Sequence, residues 1–150
     1  MIRTILTAAL LGTALLAACD DAPTTVDASM AVVAGSYTAE GSFGAITFTS
    51  EVQGASTTVD WLAAGGSVLL ELKQDGTTTG RLFLPFEVEE GEGPLDEDLI
   101  GAWSVANGVI TFDHEADTFI RDTRFTYADG VLTGVETFGG TTVRVVLQRR

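Results

Sequence analysis

The residues best suited to chemistry lie in one short stretch around the single histidine of the chain. His114 stands between Asp113 and Glu115, and Asp117 and Asp122 follow. Imidazole and carboxylate groups together are typical metal ligands. In a strand, however, alternate side chains point to opposite faces, so His114 would point away from its two acidic neighbours. Without a bend these groups cannot close on one ion. We interpret the stretch as a solvated strand end and predict no metal site.

A second acidic stretch, from Glu87 to Asp98, carries seven carboxylates together with two glycines and a proline. Carboxylate oxygens suit calcium, but the stretch lacks the 12-residue loop with fixed ligand positions that calcium-binding loops use. We interpret it as an extended, solvated loop between the two halves of a sheet. No cofactor is predicted from either acidic stretch.

Three other residues are candidates for contact with a small ligand. If residues 118–127 form a strand, Phe119 and Arg121 share a face, which predicts that Arg121 points inward. An inward arginine could pair with a ligand carboxylate or with a structural acid across the domain, and the structural pair is favoured. Trp61 and Leu62 could close the mouth of a ligand cavity, although a tryptophan there is more often simply part of the core.

Motifs for catalysis are absent from the sequence. It contains no Gly-x-Ser-x-Gly, no histidine beside a usable nucleophile and no glycine loop that would cradle phosphate before a helix. One histidine and one cysteine leave only carboxylate-pair chemistry, and no pattern places two acids in one cleft. We therefore predict that the protein is not an enzyme.

The charge of the chain restricts its partners. Its 150 residues include 8 basic and 21 acidic side chains, for a net charge of −13 at pH 7. Nucleic acid is excluded as a partner, because binding a phosphate backbone requires lysine and arginine. Docking on anionic lipid through a basic patch is excluded for the same reason. A cationic protein remains a possible partner, and the plainer interpretation is a surface kept soluble by its charge.

Short segments with alternating apolar and polar side chains, separated by turn signals, dominate the chain. Asn107-Gly108 and Asp129-Gly130 are strong hairpin signals, because both central positions of a type I′ turn need positive φ. A Ser/Thr/Asp start and a glycine stop predict one short helix near residues 58–64. The predicted strands are 36–49 (bent at Gly41 and Gly44), 67–74, 77–86, 99–106, 109–115, 118–127, 131–138 and 141–148.

About eight antiparallel strands in up-and-down order predict an all-β fold. Closure into a barrel is favoured because it removes the exposed edges that an open sheet would leave. A two-layer β-sandwich is the alternative. The barrel domain is expected to cover residues 35–150.

The N-terminus has the most specific motif in the chain. A basic residue at Arg3 precedes an apolar segment that is too short to span a bilayer as a helix. It ends in Leu16-Ala17-Ala18-Cys19, which resembles the lipobox of bacterial lipoproteins. The resemblance implies that residues 1–18 are a signal peptide and that Cys19 carries the lipid. It implies a membrane-anchored protein of the bacterial envelope that faces the periplasm.

The residues after the lipobox predict a spacer. Residues 19–34 are polar and read as a flexible tether between the lipid and the domain. Asp20 resembles the inner-membrane retention signal of enteric lipoproteins, a rule that varies between lineages, so inner and outer membrane both stay open.

The barrel domain resembles the small lipocalin-like domains of bacterial secreted proteins. The similarity lies in Gly101-Ala102-Trp103, in the meander that follows and in Arg149 near the end of the last strand. In lipocalins a Gly-x-Trp motif opens the first strand, whereas here the first strand carries Gly35-Ser36-Tyr37. The resemblance implies a barrel that holds a small apolar or amphipathic molecule.

Two functions are therefore expected. The first is ligand binding by the barrel, with Trp61, Leu62 and Arg121 as candidate contacts. The second is a non-enzymatic interaction or inhibitor function that uses the acidic outer surface. Interior volume should distinguish them, because ligand cavities measure about 300–1,000 Å³.

Overall fold

The computed structural model describes residues 29–87 and 93–150. The predicted signal peptide, Cys19 and most of the tether lie outside these residues. Within them the chain forms eleven strands and two four-residue helices: α1 (Met30–Val33), β1 (Gly35–Glu40), β2 (Ala45–Val52), β3 (Ala55–Asp60), β4 (Ser67–Leu72), β5 (Thr77–Glu87), β6 (Pro94–Asp98), β7 (Gly101–Ala106), β8 (Val109–His114), α2 (Phe119–Asp122), β9 (Phe125–Ala128), β10 (Val131–Phe138) and β11 (Thr141–Arg149).

Eight of the described strands close into an antiparallel barrel, in the order β1-β4-β5-β7-β8-β9-β10-β11. The ring closes between its first and last strands, where Tyr37 lies opposite Arg149 and Thr38 opposite Gln148. The prediction of an all-β, eight-stranded barrel is confirmed, and the sandwich alternative is not adopted. Closure gives hydrogen-bond partners to the backbone N–H and C=O groups at the seam, which an open sheet would leave unpaired.

The predicted bent strand 36–49 is divided into β1 and β2, which follow one another along the same edge of β11. A short loop separates them, and it contains Gly44 with φ +83°. A Cβ on Gly44 would lie 2.3 Å from the carbonyl oxygen of Val146, so only glycine allows β11 to pass this close. Beyond the loop, β2 and β3 extend the sheet outside the barrel ring.

The prediction of a helix near residues 58–64 is wrong. The segment begins inside β3, because three consecutive β-branched side chains favour strand and pair along β2. After the strand, one carboxylate oxygen of Asp60 accepts hydrogen bonds from the N–H groups of Leu62 (3.0 Å) and Ala63 (3.2 Å). This side-chain bond turns the chain directly, and no helix follows.

The predicted strand 118–127 is also incorrect in its first half. Thr118 ends the extended segment, and its hydroxyl accepts a 3.5 Å hydrogen bond from the backbone N–H of Arg121, which caps α2. The strand β9 begins only at Phe125.

The acidic stretch 87–98 is not wholly a loop. Its second half forms β6, which pairs with β5 beside the barrel ring, while residues 88–92 lie outside the described part. Arg81 binds Asp96 with two hydrogen bonds, of 2.7 and 2.6 Å. The sequence does not predict this strand, because three carboxylates in five residues are unusual in a strand.

The inward-facing side chains form one contiguous cluster. The buried hydrophobic residues of the described chain number twenty, contributed by α1, α2, the 61–66 loop, residue 99, all eight strands of the ring and β2. The predicted alternation is confirmed: Ile110 and Phe112 point inward together, as do Val143, Val145 and Leu147.

The two ends of the barrel differ. The entry end holds α1 and the turns at 73–76 and 129–130, and the far end holds α2, the 61–66 loop and the turn at 139–140. At the entry end, the Arg149 guanidinium lies 5.7 Å from the centre of the Tyr37 ring. It also donates to the carbonyls of Val32 (3.1 Å) and Ala34, so α1 is fixed against the barrel.

Candidate functional site

A depression of about 330 Å³ lies at the far end of the barrel and is open to solvent. We call it the aromatic pocket. Its lining consists of three phenylalanines with a valine, two threonines and two aspartates: Phe48, Phe119, Phe138, Val143, Thr118, Thr141, Asp117 and Asp122.

Three different elements position the rings of the aromatic pocket. Phe48 comes from β2, where it lies opposite Val143 of β11; Phe119 opens α2, and Phe138 ends β10. The rings of Phe48 and Phe119 are 5.3 Å apart at 86°, and those of Phe48 and Trp61 are 5.8 Å apart at 72°. Perpendicular packing of this kind is favoured by the quadrupoles of the rings. It places Phe48 and Phe119 as adjacent walls, with Trp61 packed against Phe48.

The rim of the aromatic pocket is acidic. Arg121 donates from Nε to Asp122 at 2.9 Å and from its terminal nitrogen to Asp117. The Asp117 side chain is still 84% exposed. One guanidinium between two carboxylates leaves one net negative charge at the rim.

The candidate ligand residues from the sequence fall near this pocket but not in the predicted roles. Arg121 does not point inward: it lies on a helix whose buried position is taken by Ile120, and its partners are local acids. Leu62 is buried in the core, at 6% exposure. Trp61 packs on Phe48 and is half-buried.

The sequence does not single out the three phenylalanines of the pocket as site residues. Phe48 alternates with threonines, which indicates only one face of a strand, and Phe138 lies directly before the Gly139-Gly140 turn. A large aromatic residue beside a hairpin turn was the available signal, because such a side chain lies at the end of a barrel.

His114 is buried on the same side of β8 as Phe112, at 3% exposure. The alternation predicted for Asp113 and Glu115 is confirmed, but a solvated position for His114 is wrong. Its ring stacks on Phe112 at 5.1 Å, and neither ring nitrogen bonds to a described residue. Burial lowers the pKa of His114 to about 4, although Asp113 acts in the opposite direction.

A second depression, of about 430 Å³, lies outside the ring beside β6, and we call it the acidic groove. Its lining is mostly charged: Arg81, Asp96, Glu97, Asp98, Ile100, Glu115 and Ala116. Among residues 29–87 and 93–150, no group of three or more histidine, cysteine or acidic side chains is arranged to hold a metal.

Comparisons with known proteins found no family model, no curated protein and no solved structure that matches this chain. In the part of the chain that the structure describes, no helix has the length and apolar character needed to cross a membrane.

Proposed function

We propose that the protein is a membrane-anchored envelope lipoprotein whose barrel binds a small apolar or amphipathic ligand in the aromatic pocket. The observation that supports this most directly is the pocket itself, where three half-buried phenylalanine rings line an open volume of about 330 Å³. Small-molecule sites have this character: a mostly apolar wall, a few polar groups and a volume of about 300–1,000 Å³.

A site at the end of the barrel is preferred to a site inside it. Large side chains such as Tyr37, Trp103 and Phe125 belong to the cluster that packs within the ring. An eight-stranded barrel has space for its own side chains or for one small ligand. The aromatic pocket at the far end is lined by other side chains and is open to solvent.

The lipid anchor and the pocket would lie at opposite ends of the domain. The lipobox resemblance assigns the lipid to Cys19, and the described chain begins at Ser29 beside the entry end. Nine residues lie between them, and the ten Cα–Cα steps from Cys19 to Ser29 can span at most about 35 Å. The tether would therefore join the domain at the end opposite the aromatic pocket.

The lipocalin-like assignment is part of the proposal and has one further support. Arg149 of the last strand lies over the Tyr37 ring of the first strand. This pair stands where the family has a basic residue over the tryptophan of its Gly-x-Trp motif.

Native mass spectrometry of the full-length protein, released gently from envelope membranes with octyl glucoside, tests ligand binding. We expect a bound small molecule, or one-to-one binding from a panel of fatty alcohols and lipids. Phe138→Ala should abolish the binding. Phe43→Ala is the matched control, because Phe43 is 61% exposed and does not line the pocket. Absence of binding across the panel, or equal loss in both variants, would contradict the proposal.

A second candidate function rests on the acidic groove. Together with a net charge of −13, the groove supports recognition of a cationic protein in the envelope. Horse cytochrome c, a basic protein, serves as the probe. Binding should weaken from low to high salt, and it should weaken further in the Glu97→Gln variant. Binding that does not respond to salt would argue against this function.

A further inference from the structure

The aromatic pocket combines perpendicular aromatic walls with a negative rim, and this combination selects a ligand chemistry. Of its eight lining residues two are acidic and none is basic. The nearest guanidinium, on Arg121, is turned toward Asp117 and Asp122 and does not line the pocket. A carboxylate or phosphate ligand would meet two carboxylates there and no free positive charge.

We propose that the ligand carries a methylated ammonium group, which enters the aromatic pocket and is held by cation–π interaction. This inference rests on the proposed function and narrows it to one chemical class. The faces of aromatic rings are negative, so a cation within about 6 Å of a ring centre is attracted. A methylated ammonium also has an apolar surface that is compatible with burial beside phenylalanine.

The geometry provides more than one ring for such a cation. The rings of Phe48 and Phe119 lie 5.3 Å apart at 86°, and both residues line the aromatic pocket. Phe138, from the end of β10, lines the same volume. Asp117 and Asp122 line the same volume and, with Arg121 between them, leave one net negative charge beside it.

A pair of isosteric probes tests the charge directly. Choline and 3,3-dimethylbutan-1-ol have the same shape, but the quaternary nitrogen of choline is a neutral carbon in the alcohol. We would titrate each into the full-length protein in octyl glucoside micelles by calorimetry, with empty micelles as the blank. The expected result is binding of choline about tenfold tighter or more than binding of the alcohol.

A conservative variant tests the role of the ring. Phe119→Leu keeps an apolar side chain and removes the aromatic face, so the preference for choline should fall severalfold while binding of the alcohol is retained. Phe43→Leu is the control, because this exposed ring lies outside the lining, and it should leave the preference unchanged.

The outcomes separate this inference from the proposed function. Equal affinity of the unmodified protein for choline and the alcohol would overturn the inference. A preference for choline that is unchanged in Phe119→Leu would also overturn it. If neutral amphiphiles bind in the pocket and choline does not, the binding function stands and only the ammonium class is refuted. If no probe binds, both proposals fall.

Discussion

His114 gives the strongest prediction about stability, because it is the single histidine of the chain and it is buried without a hydrogen bond to any described residue. Replacing it with phenylalanine would keep a ring that can stack on Phe112 and would remove both ring nitrogens. We expect His114→Phe to fold and to change the pH dependence of stability. The difference between the two proteins isolates this one group.

The magnitude follows from the shift in pKa. Burial lowers the pKa of His114 from 6.5 to about 4. The smaller effect of Asp113 raises this pKa, and that of Arg121 lowers it. Above pH 6.5 the imidazole is neutral in both the folded and the unfolded chain, so it adds no pH dependence. Between pH 6.5 and pH 4 only the unfolded chain takes up the proton, and the native protein loses up to about 3 kcal/mol of stability. Below pH 4 the loss levels off.

The assay is urea unfolding of the full-length protein and of His114→Phe at several pH values from 4 to 7. Carboxylates that titrate in this range are common to both proteins, and their contribution cancels in the difference. The variant should gain relative stability steadily on acidification. The imidazole NMR signal, which has one source in this chain, should titrate near pH 4 in the native state. A difference that stays constant with pH, or an imidazole that titrates near 6.5, would refute the burial of a neutral His114.

Three further predictions concern stability, each measured by urea unfolding of the full-length chain. Gly134→Ala should cost about 1–3 kcal/mol, because the new methyl would lie 2.4 Å from Cγ2 of Thr123; an unchanged midpoint would contradict this packing. Arg149→Met should lower the free energy of unfolding by about 1–3 kcal/mol, because it keeps much of the apolar stem but removes the donors that hold α1. Arg150→Met is the control and should lower it less. Asp96→Asn should leave the urea midpoint nearly unchanged, since the ion pair with Arg81 is exposed on both sides, and a marked loss would mean that β6 depends on this pair.

The barrel was predictable because its evidence is local and repeated. Turns such as Asn107-Gly108 and Asp129-Gly130 have positive φ at both positions, as a type I′ turn requires. The alternation in β8 and β11 then assigns the inward faces. Periodicity does not show which strands pair across the ring. Only the structure shows that β1 and β2 pair with different parts of the same edge of β11.

The errors about the site have local causes. The sequence pattern places Asp60 in a helix start, whereas its carboxylate forms a turn at the end of a strand. The pattern places Thr118 in a strand, whereas its hydroxyl caps α2. Arg121 therefore lies on a helix and pairs with acids at the rim of the pocket, and does not point into the interior. Side chains that bond to nearby backbone compete with regular structure, and a hydrophobicity pattern does not record this competition. The aromatic pocket joins α2 and β10 to β2, which is distant from both in sequence.

The seam between β1 and β11 also sets an order of folding. The bond from Arg149 to the carbonyl of Ala34 joins residues 115 positions apart, whereas most of the remaining ring is built from hairpins between neighbouring segments. Contacts of such long range must overcome a large loss of chain entropy before they contribute, so they form late. Until β11 arrives, β1 has a partner on one side only. If the chain is exported to the envelope from its N-terminus, as the proposed signal peptide implies, this topology delays the complete barrel until the last strand has crossed the membrane.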